Sequence, residues 1–262
     1  MLEFRTVCIS DVHLGTRSCK AEYLLDFLRH VQCERLYLVG DILDLWRLRK
    51  GGWYWSDLHQ AVAQRFFNMA RSGTEVIYIP GNHDELLRGY LGTEFNGIQL
   101  RERCVHEAVN GRRLLVLHGD EYDTVITAGG LLSVLGCFTY DTLVEINRWV
   151  NLYRARRGLP YWSLAGFLKS RVKNAQRYIA DYEEALLHNV SRRGYDGVIC
   201  GHIHHPALRE DRAGFYGNCG DWVENCTALV EDVQGRWRLI HWVTESARLL
   251  EVKEKADLAL AG

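Results

Sequence analysis

The sequence predicts one domain of the α/β (α+β) class, in which strands alternate with helices and the strands end in polar loops. At 262 residues, of which 47% are hydrophobic, the chain can bury a full core and leave room for an inserted subdomain. Short β-branched and apolar runs alternate with segments of helical spacing, a pattern typical of βαβ units. Five of these runs lead into Asp, Asn or His side chains, so polar groups are expected at the carboxyl ends of the strands.

The composition of the chain argues against several classes of function. The net charge of −1 and the pI near 6.8 argue against long duplex nucleic acid as the main partner, because neutralising phosphates requires a basic surface. The eight cysteines contain no CxxC pair and the N-terminus shows no signal peptide, which predicts free thiols in a cytoplasmic protein. No apolar run approaches the ~20 residues that span a bilayer, so membrane contact is expected only at the periphery.

The first strand is predicted at residues 4–10 and leads into Asp11 and His13, which point the same way if the segment stays extended. Apolar residues at helical spacing follow. A second strand is then predicted at residues 36–39, and it ends at Asp41. Strand, helix and strand in this order predict a parallel βαβ unit whose polar loops share one sheet edge.

The third strand, residues 76–79, follows a helix for which Ser56 is a candidate N-cap. It ends in the segment Gly-Asn-His-Asp-Glu. Asn82 can offer an amide oxygen to a cation, His83 can carry a proton near neutral pH, and Asp84 can hold that imidazole in one tautomer.

The C-terminal half repeats this pattern. Residues 105–117 are predicted to form a hairpin around an Asn-Gly turn, and residues 197–200 form a short strand. Three alternating runs are predicted to be antiparallel strands, at residues 215–222, 226–231 and 236–243. Further imidazoles follow the hairpin and the short strand, at His118, His202 and His204.

If the five loops converge, they form one site. Its donors are oxygen and imidazole only, which suits two hard or borderline divalent ions held close together and excludes a thiolate-selective site. Asp41 is assigned as the bridging carboxylate. Such a site stays net positive and attracts phosphate. The first ion is assigned Asp11, His13, Asp41 and His204, and the second Asp41, Asn82, His118 and His202.

The ordered motifs D-x-H, GD, GNHD, HGD and GHxH resemble those of the calcineurin-like metallophosphoesterase superfamily over residues 4–243. The resemblance implies a two-sheet β-sandwich flanked by helices and a metal-bridging hydroxide that attacks phosphorus in line. It also implies that His83 protonates the leaving oxygen or steadies the phosphoryl charge, with Asp84 behind it. Manganese is favoured by resemblance, although these donors also admit iron, zinc or cobalt. Asp44 and Glu85 are either acceptors behind the ligands or ordinary helix caps.

Between His118 and His202 lie 83 residues, more than the next strand requires, and most are predicted to be helical. This predicts a core at 1–123 and 191–243, an inserted lid at 124–190 and a C-terminal tail at 244–262. Residues 148–177 carry eight Arg or Lys with aromatic residues between them and no acidic residue. They form either a solvated helical hairpin or a cover for an anionic, partly apolar substrate that also touches an anionic membrane surface.

The insertion, the region of Trp46 and the Gly-Asp-Trp segment at 220–222 resemble the UDP-2,3-diacylglucosamine pyrophosphatase branch of this superfamily. The resemblance implies cleavage of the diphosphate of a UDP-linked diacylated sugar at the inner membrane face during lipid A synthesis. It places Lys169, Lys173 and Asn174 near the phosphates or the sugar. The chain differs from this branch at His83, where branch members carry Arg, and in a shorter loop after His118-Gly119-Asp120.

Two other functions remain open from the sequence. One is a phosphodiesterase acting on nucleotides or single-stranded nucleic acid, with the basic and aromatic lid as a stacking groove. The other is a non-catalytic scaffold, which the retention of all seven candidate ligands and His83 disfavours. The remaining histidines are predicted to be surface groups or hydrogen-bonded core groups: His30, His59, His106, His188 and His241. His205 lies beside two candidate ligands, but in a strand-like Gly-His-x-His segment it faces the other way and is left out of the site.

Overall fold

The computed structural model describes residues 1–123, 147, 149–151, 153–154, 156–159, 162 and 173–249. Within them the chain forms two β-sheets packed face to face with helices on the outer faces, which confirms the predicted fold class. The predicted boundaries of core, lid and tail stay predictions. The boundary at residue 190 falls within the last turn of a helix that ends at Arg192.

The first sheet has seven strands in the order β12-β11-β1-β2-β3-β5-β4. The central strands β1, β2, β3 and β5 are parallel, whereas β11, β12 and β4 are antiparallel to their neighbours. Parallel strands joined by helical crossovers place their carboxyl ends at the same edge. The strands are β1 (Leu2–Ile9), β2 (Val31–Val39), β3 (Glu75–Ile79), β4 (Glu94–Phe95), β5 (Ile98–Leu100), β11 (Thr227–Glu231) and β12 (Trp237–His241).

The second sheet has five strands in the order β6-β7-β8-β10-β9. They are β6 (Cys104–Glu107), β7 (Arg113–Val116), β8 (Gly197–Cys200), β9 (Ala207–Asp211) and β10 (Gly214–Asn218). The predicted hairpin is β6-β7. The run predicted at 215–222 ends at Asn218. It pairs antiparallel with β9, as expected, but in parallel with β8 on its other side. At Gly220, where φ is 74°, the chain turns and crosses to the first sheet, so β10 and β11 lie in different sheets.

Among the helices of the described residues are α1 (Ala21–His30), α2 (Leu45–Arg49), α3 (Asp57–Arg71) and α4 (Lys173–Arg192). The predicted N-cap of α3 is confirmed, because the Ser56 side chain accepts a hydrogen bond from the amide of His59 at 3.4 Å. Two 3-10 helices span Glu85–Tyr90 and Asp120–Tyr122. Residues 242–249 are helical. Among the described helices, none is long and apolar enough to cross a bilayer.

Successive side chains along each strand point to opposite faces of its sheet and so belong to different layers of the core. In β7, Leu114 and Val116 face the first sheet, whereas Leu115 and the following Leu117 face α4. The outer face of the first sheet packs on α1 and α3. The fold is therefore helix, sheet, sheet and helix, and the polar loops at one end of the two sheets are left outside the apolar core.

Candidate metal centre

The seven candidate ligands lie in loops that follow β1, β2, β3, β7 and β8. Three of these strands belong to the first sheet and two to the second. The site therefore spans one end of the sandwich, rather than the edge of the single sheet expected from the sequence. The loops are joined by backbone hydrogen bonds beyond the strands, such as the amide of Asp11 donating to Gly40 at 3.0 Å and the amide of Gly201 donating to His118 at 3.1 Å.

The ligand atoms gather in three overlapping groups, within each of which they lie within 4.8 Å of one another. Asp41 belongs to two of these groups, as expected for a bridging carboxylate. Asn82 joins through its Oδ1, which lies 3.3 Å from Nε2 of His118. The groups are Asp11, His13 and His204; His13, Asp41 and His83; and Asp41, His118 and His202.

Each of the two aspartates uses one oxygen to hold a loop and turns the other towards the imidazoles. Oδ2 of Asp11 accepts a hydrogen bond from the amide of His202 at 3.0 Å, and Oδ1 lies 3.2 Å from Nε2 of His204. Oδ1 of Asp41 accepts from the amide of His83 at 2.8 Å, and Oδ2 lies 3.4 Å from Nε2 of His118. This division leaves one carboxylate oxygen of each residue for a cation.

The donor set fits a pair of divalent cations. The buried Nε2 of His13 makes no hydrogen bond and lies 3.9 Å from Oδ2 of Asp41. Nε2 of His13 is thus left for a cation, and converging carboxylate, amide and imidazole donors are ligands that suit divalent ions. No cysteine belongs to any of the three groups in the described chain.

The backbone of the site is strained. Seven non-glycine residues of the described chain have positive φ, and five of them are candidate ligands, with values from 48° to 72°. Such conformations cost of order 1–3 kcal/mol each and cluster at functional sites. They turn successive side chains towards the centre. The five are Asp11, His13, Asp41, His202 and His204.

Two glycines allow the loops to approach closely. A side chain at Gly40 would overlap the ring of His118, and one at Gly81 would overlap Asp41 and His118. Gly40 also has φ of 78°, which favours glycine. The glycines of the GD and GNHD motifs therefore make room for the ligands.

Charge keeps the carboxylates ionised. Burial raises the pKa of Asp41, but His118 and the other nearby imidazoles outweigh burial and hold that pKa well below its usual value. The same balance lowers the pKa of Asp11, mainly through His204. In the opposite direction, burial lowers the pKa of His204, but Asp11 and Asp221 raise it to about 10. A cation at this position would compete with a proton for this imidazole.

His83 is held beside the ligands. Its ring lies 4.1 Å from the ring of Trp46 and 4.6 Å from that of His13, measured between centroids. Oδ2 of Asp44 lies 3.2 Å from Nδ1 of His83 and 3.3 Å from Nδ1 of His13. The other oxygen of Asp44 accepts a hydrogen bond from the amide of Arg47 at 3.0 Å and caps α2. Asp44 therefore has both of the roles considered from the sequence, because it is an acceptor beside the imidazoles and also a helix cap.

The expected place of Asp84 behind His83 is wrong. Asp84 is fully buried and accepts hydrogen bonds from the amide of Ile42 at 2.9 Å, the amide of Gly81 at 2.5 Å and the hydroxyl of Tyr78 at 2.5 Å. It thus ties the loops after β2 and β3 together, and Asp44 takes the position next to the imidazole. Glu85 begins a 3-10 helix and lies 3.7 Å from Arg49, as a surface ion pair.

Sequence reasoning assigned no role to two further carboxylates behind the ligands. Oδ2 of Asp221 lies 3.7 Å from Nδ1 of His204, and Oδ2 of Asp123 lies 2.8 Å from Nε2 of His202. Asp221 also accepts hydrogen bonds from three backbone amides of the loop after β10. Neither residue belongs to a ligand motif, so local sequence carries no signal for this contact.

The predicted substrate-binding residues stay predictions. Lys169 lies outside the described residues. Lys173 and Asn174 begin α4, and their side chains are outside the described part of the chain.

One known protein family and several named proteins resemble this chain over most of its length. The sequence model described as Calcineurin-like phosphoesterase matches residues 4–206. Proteins named UDP-2,3-diacylglucosamine hydrolase are 28% identical, one from Xanthomonas campestris over 88% of this chain and 96% of its own length, and one from Aeromonas salmonicida over 86% and 89%.

A solved structure of a hypothetical protein from Pyrococcus horikoshii has the same fold. The TM-score is 0.50 at 12% identity, and the match covers 95% of this chain and 94% of that protein. At this identity the likeness concerns the fold alone.

Proposed function

This chain belongs to the calcineurin-like phosphoesterase family, a family of phosphoester hydrolases with two divalent metal ions, and we propose that it cleaves the diphosphate of a UDP-linked, lipid-bearing sugar. The observation that carries the substrate is the similarity to UDP-2,3-diacylglucosamine hydrolases, which extends over 96% of the length of the Xanthomonas relative. The similarity thus includes the insertion as well as the ligand motifs.

In this proposal Asp11, His13, Asp41 and His204 hold one ion, and Asp41, Asn82, His118 and His202 hold the other. The groups Asp11, His13 and His204 and Asp41, His118 and His202 support this division, and the third group brings His13 close to Asp41. When bound, the ions polarise the phosphoryl oxygens and neutralise the charge that develops during hydrolysis. We propose manganese, and the oxygen and nitrogen donors also suit iron, zinc or cobalt.

His83 is proposed as the proton donor to the leaving oxygen or as a hydrogen-bond donor to the phosphoryl group. Asp44 lies against Nδ1, so Nε2 is the nitrogen left to face a substrate. The ring of Trp46 covers one face of the imidazole and limits the access of water to it. Asp44 therefore fixes both the orientation and the tautomer of this group.

The insertion is proposed to cover the substrate. Trp149 and Tyr153 expose 61% and 58% of their surface, and the guanidinium of Arg157 lies 5.1 Å from the ring centroid of Tyr153. Basic and aromatic side chains together suit an anionic substrate with apolar chains and contact with the inner face of a membrane. Residues 124–190 form this lid in the proposal, with Lys169, Lys173 and Asn174 at the phosphates or sugar.

The test is release of UMP from UDP-2,3-diacylglucosamine, measured with manganese and with chelator. UDP-N-acetylglucosamine serves as a matched diphosphate without acyl chains, and bis(p-nitrophenyl) phosphate as a generic diester. We expect metal-dependent turnover with strong preference for the acylated substrate, because the lid contributes apolar and basic contacts. Turnover of the diester alone would overturn the substrate proposal and favour a phosphodiesterase of nucleotides or single-stranded nucleic acid.

A further inference from the structure

An Asp-Tyr pair connects α4 with the imidazole of His202. Oδ2 of Asp123 lies 2.8 Å from Nε2 of His202, and the hydroxyl of Tyr178 donates a hydrogen bond to Oδ1 of Asp123 at 2.5 Å. Asp123 directly follows the 3-10 helix at Asp120–Tyr122, and Tyr178 lies on α4. Both carboxylate oxygens of Asp123 are thus engaged, one by the imidazole and one by the helix.

The contact decides which nitrogen of His202 faces the other ligands. An imidazole nitrogen that donates its proton to a carboxylate has no lone pair left for a cation. With Nε2 donating to Asp123, the lone pair remains on Nδ1, so Nδ1 is the atom available to the group formed with Asp41 and His118. A carboxylate in this position also raises the basicity of the ligating nitrogen.

The ring of His202 is restrained on its other sides as well. Its backbone amide donates to Asp11 at 3.0 Å, and its ring centroid lies 5.2 Å from that of His118 and 6.1 Å from that of Tyr182. Tyr182 is fully buried and lies one helical turn after Tyr178 on α4. The same helix therefore supplies both the aromatic neighbour of His202 and the hydroxyl that fixes its carboxylate partner.

His204 has a different support. Its partner Asp221 is held by backbone amides of its own loop, and none of the hydrogen bonds of Asp221 among the described residues comes from α4. Among the described contacts, the link to α4 thus reaches His202, a candidate ligand of the second ion, through Asp123 and Tyr178.

We propose that Asp123 and Tyr178 are positioning residues that hold His202 with Nδ1 towards the second ion, so that α4 sets the affinity of that ion. The inference rests on the proposed two-metal assignment. It predicts that weakening the pair lowers the affinity for the second ion and leaves the first unchanged.

The test is manganese binding to the full chain, measured by isothermal titration calorimetry with metal analysis after dialysis. In Asp123→Asn we expect the dissociation constant of the second ion to rise by about 10- to 100-fold, the usual loss for the partner of a metal-ligating histidine. In Tyr178→Phe we expect a rise of about threefold or more. The turnover of Tyr178→Phe should recover at high manganese, since the defect lies in binding.

Two substitutions serve as controls. Asp181→Asn removes a solvent-exposed carboxylate from α4, and Tyr23→Phe removes an exposed hydroxyl from α1. Both should bind two ions as the wild type does. Thermal unfolding of the metal-free proteins separates a change at His202 from general loss of structure, because Tyr178→Phe should unfold within a few degrees of the wild type.

Unchanged binding of both ions in Asp123→Asn and Tyr178→Phe would overturn the inference, as would equal weakening of both ions. If Asp123→Asn does not fold, Tyr178→Phe decides alone. A wild-type protein that binds only one ion would instead contradict the two-metal assignment itself. The two failures are therefore distinguishable from the same titration.

Discussion

Two buried clusters of carboxylates and imidazoles join the two sheets of this protein. The metal centre lies in the loops beyond the carboxyl ends of the strands. The second cluster lies within the strands, where Glu231 of β11 and His106 of β6 meet with 2.9 Å between Oε2 and Nε2. Both residues are fully buried, so burial and residue type do not distinguish this cluster from the metal centre.

Hydrogen bonding distinguishes them. In the second cluster both oxygens of Glu231 accept hydrogen bonds, from His106 and from Arg5 at 2.9 Å, from Thr6 at 3.3 Å and from the amide of Val109 at 2.9 Å. In the metal centre, Nε2 of His13 is buried without a hydrogen bond. A buried polar group is costly unless it is paired. Glu231 is therefore satisfied as folded, whereas Nε2 of His13 has no hydrogen-bond partner among the described residues and is suited to bind a cation.

Backbone conformation separates the clusters in the same way. Arg5, Thr6, His106 and Glu231 lie in regular strands, whereas five of the candidate ligands have positive φ. Strain at the metal centre and regular geometry at the second cluster indicate that the first is built for chemistry and the second for stability.

Among the substitutions that test this difference between the two clusters, Asp41→Asn in the metal centre should have the largest effect. Because Asp41 is shared between two ligand groups, we expect loss of bound metal and a fall in kcat/KM of more than about 10³-fold, equivalent to several kcal/mol of lost charge stabilisation. Metal analysis and steady-state kinetics are the measurements. Asp57→Asn, at an exposed position on α3, is the control. Full metal content in Asp41→Asn would contradict the bridging role.

His83→Ala tests whether this imidazole acts on the substrate or binds a metal ion. We expect kcat to fall by about 10³-fold, the middle of the range for removal of a proton donor, while both ions stay bound. His30→Ala, at an exposed position on α1, should have wild-type kinetics. A loss of metal in His83→Ala would show that this imidazole is a ligand, as its grouping with His13 and Asp41 allows.

Glu231→Gln tests the other cluster. Breaking this buried pair should lower the free energy of unfolding by about 3 kcal/mol, measured by urea denaturation, with metal content and kcat unchanged. Burial raises the pKa of Glu231, but His106, the amide of Val109 and Arg5 lower it overall. The stabilisation by Glu231 is therefore present above its unfolded pKa of about 4.3 and is lost as the pH falls through the lower folded value.

The difference in stability between wild type and Glu231→Gln should accordingly shrink as the pH is lowered from 7 towards 3. A difference that stays constant over this range would mean that Glu231 is not held as a carboxylate. A reduced metal content in Glu231→Gln would mean that the two clusters are coupled rather than separate.

Local sequence was sufficient for the fold class and for placing the candidate ligands in the loops at one end of the sandwich. The runs that became β1, β2, β3, β7 and β8 are apolar and short, and each is followed at once by the polar residues of its loop. Because strand and ligand are neighbours in the chain, placing the strand also places the ligand. The crossing of the chain from one sheet to the other at Gly220 was less predictable, because the alternation of side chains in β10 does not reveal which sheet the strand joins.

The sequence by itself determined which side chains reach the end of the sandwich, since each lies within a few residues of a strand. Only the tertiary structure decided which carboxylate stands behind which imidazole. Asp44 and His13 are 31 residues apart, and Asp123 and His202 are 79 apart, so no helical or strand periodicity relates them. Asp84, the carboxylate next to His83 in the chain, instead accepts hydrogen bonds from the amides of Ile42 and Gly81. Buried donors must be paired, and in a packed fold the nearest acceptor in space rather than in sequence pairs them.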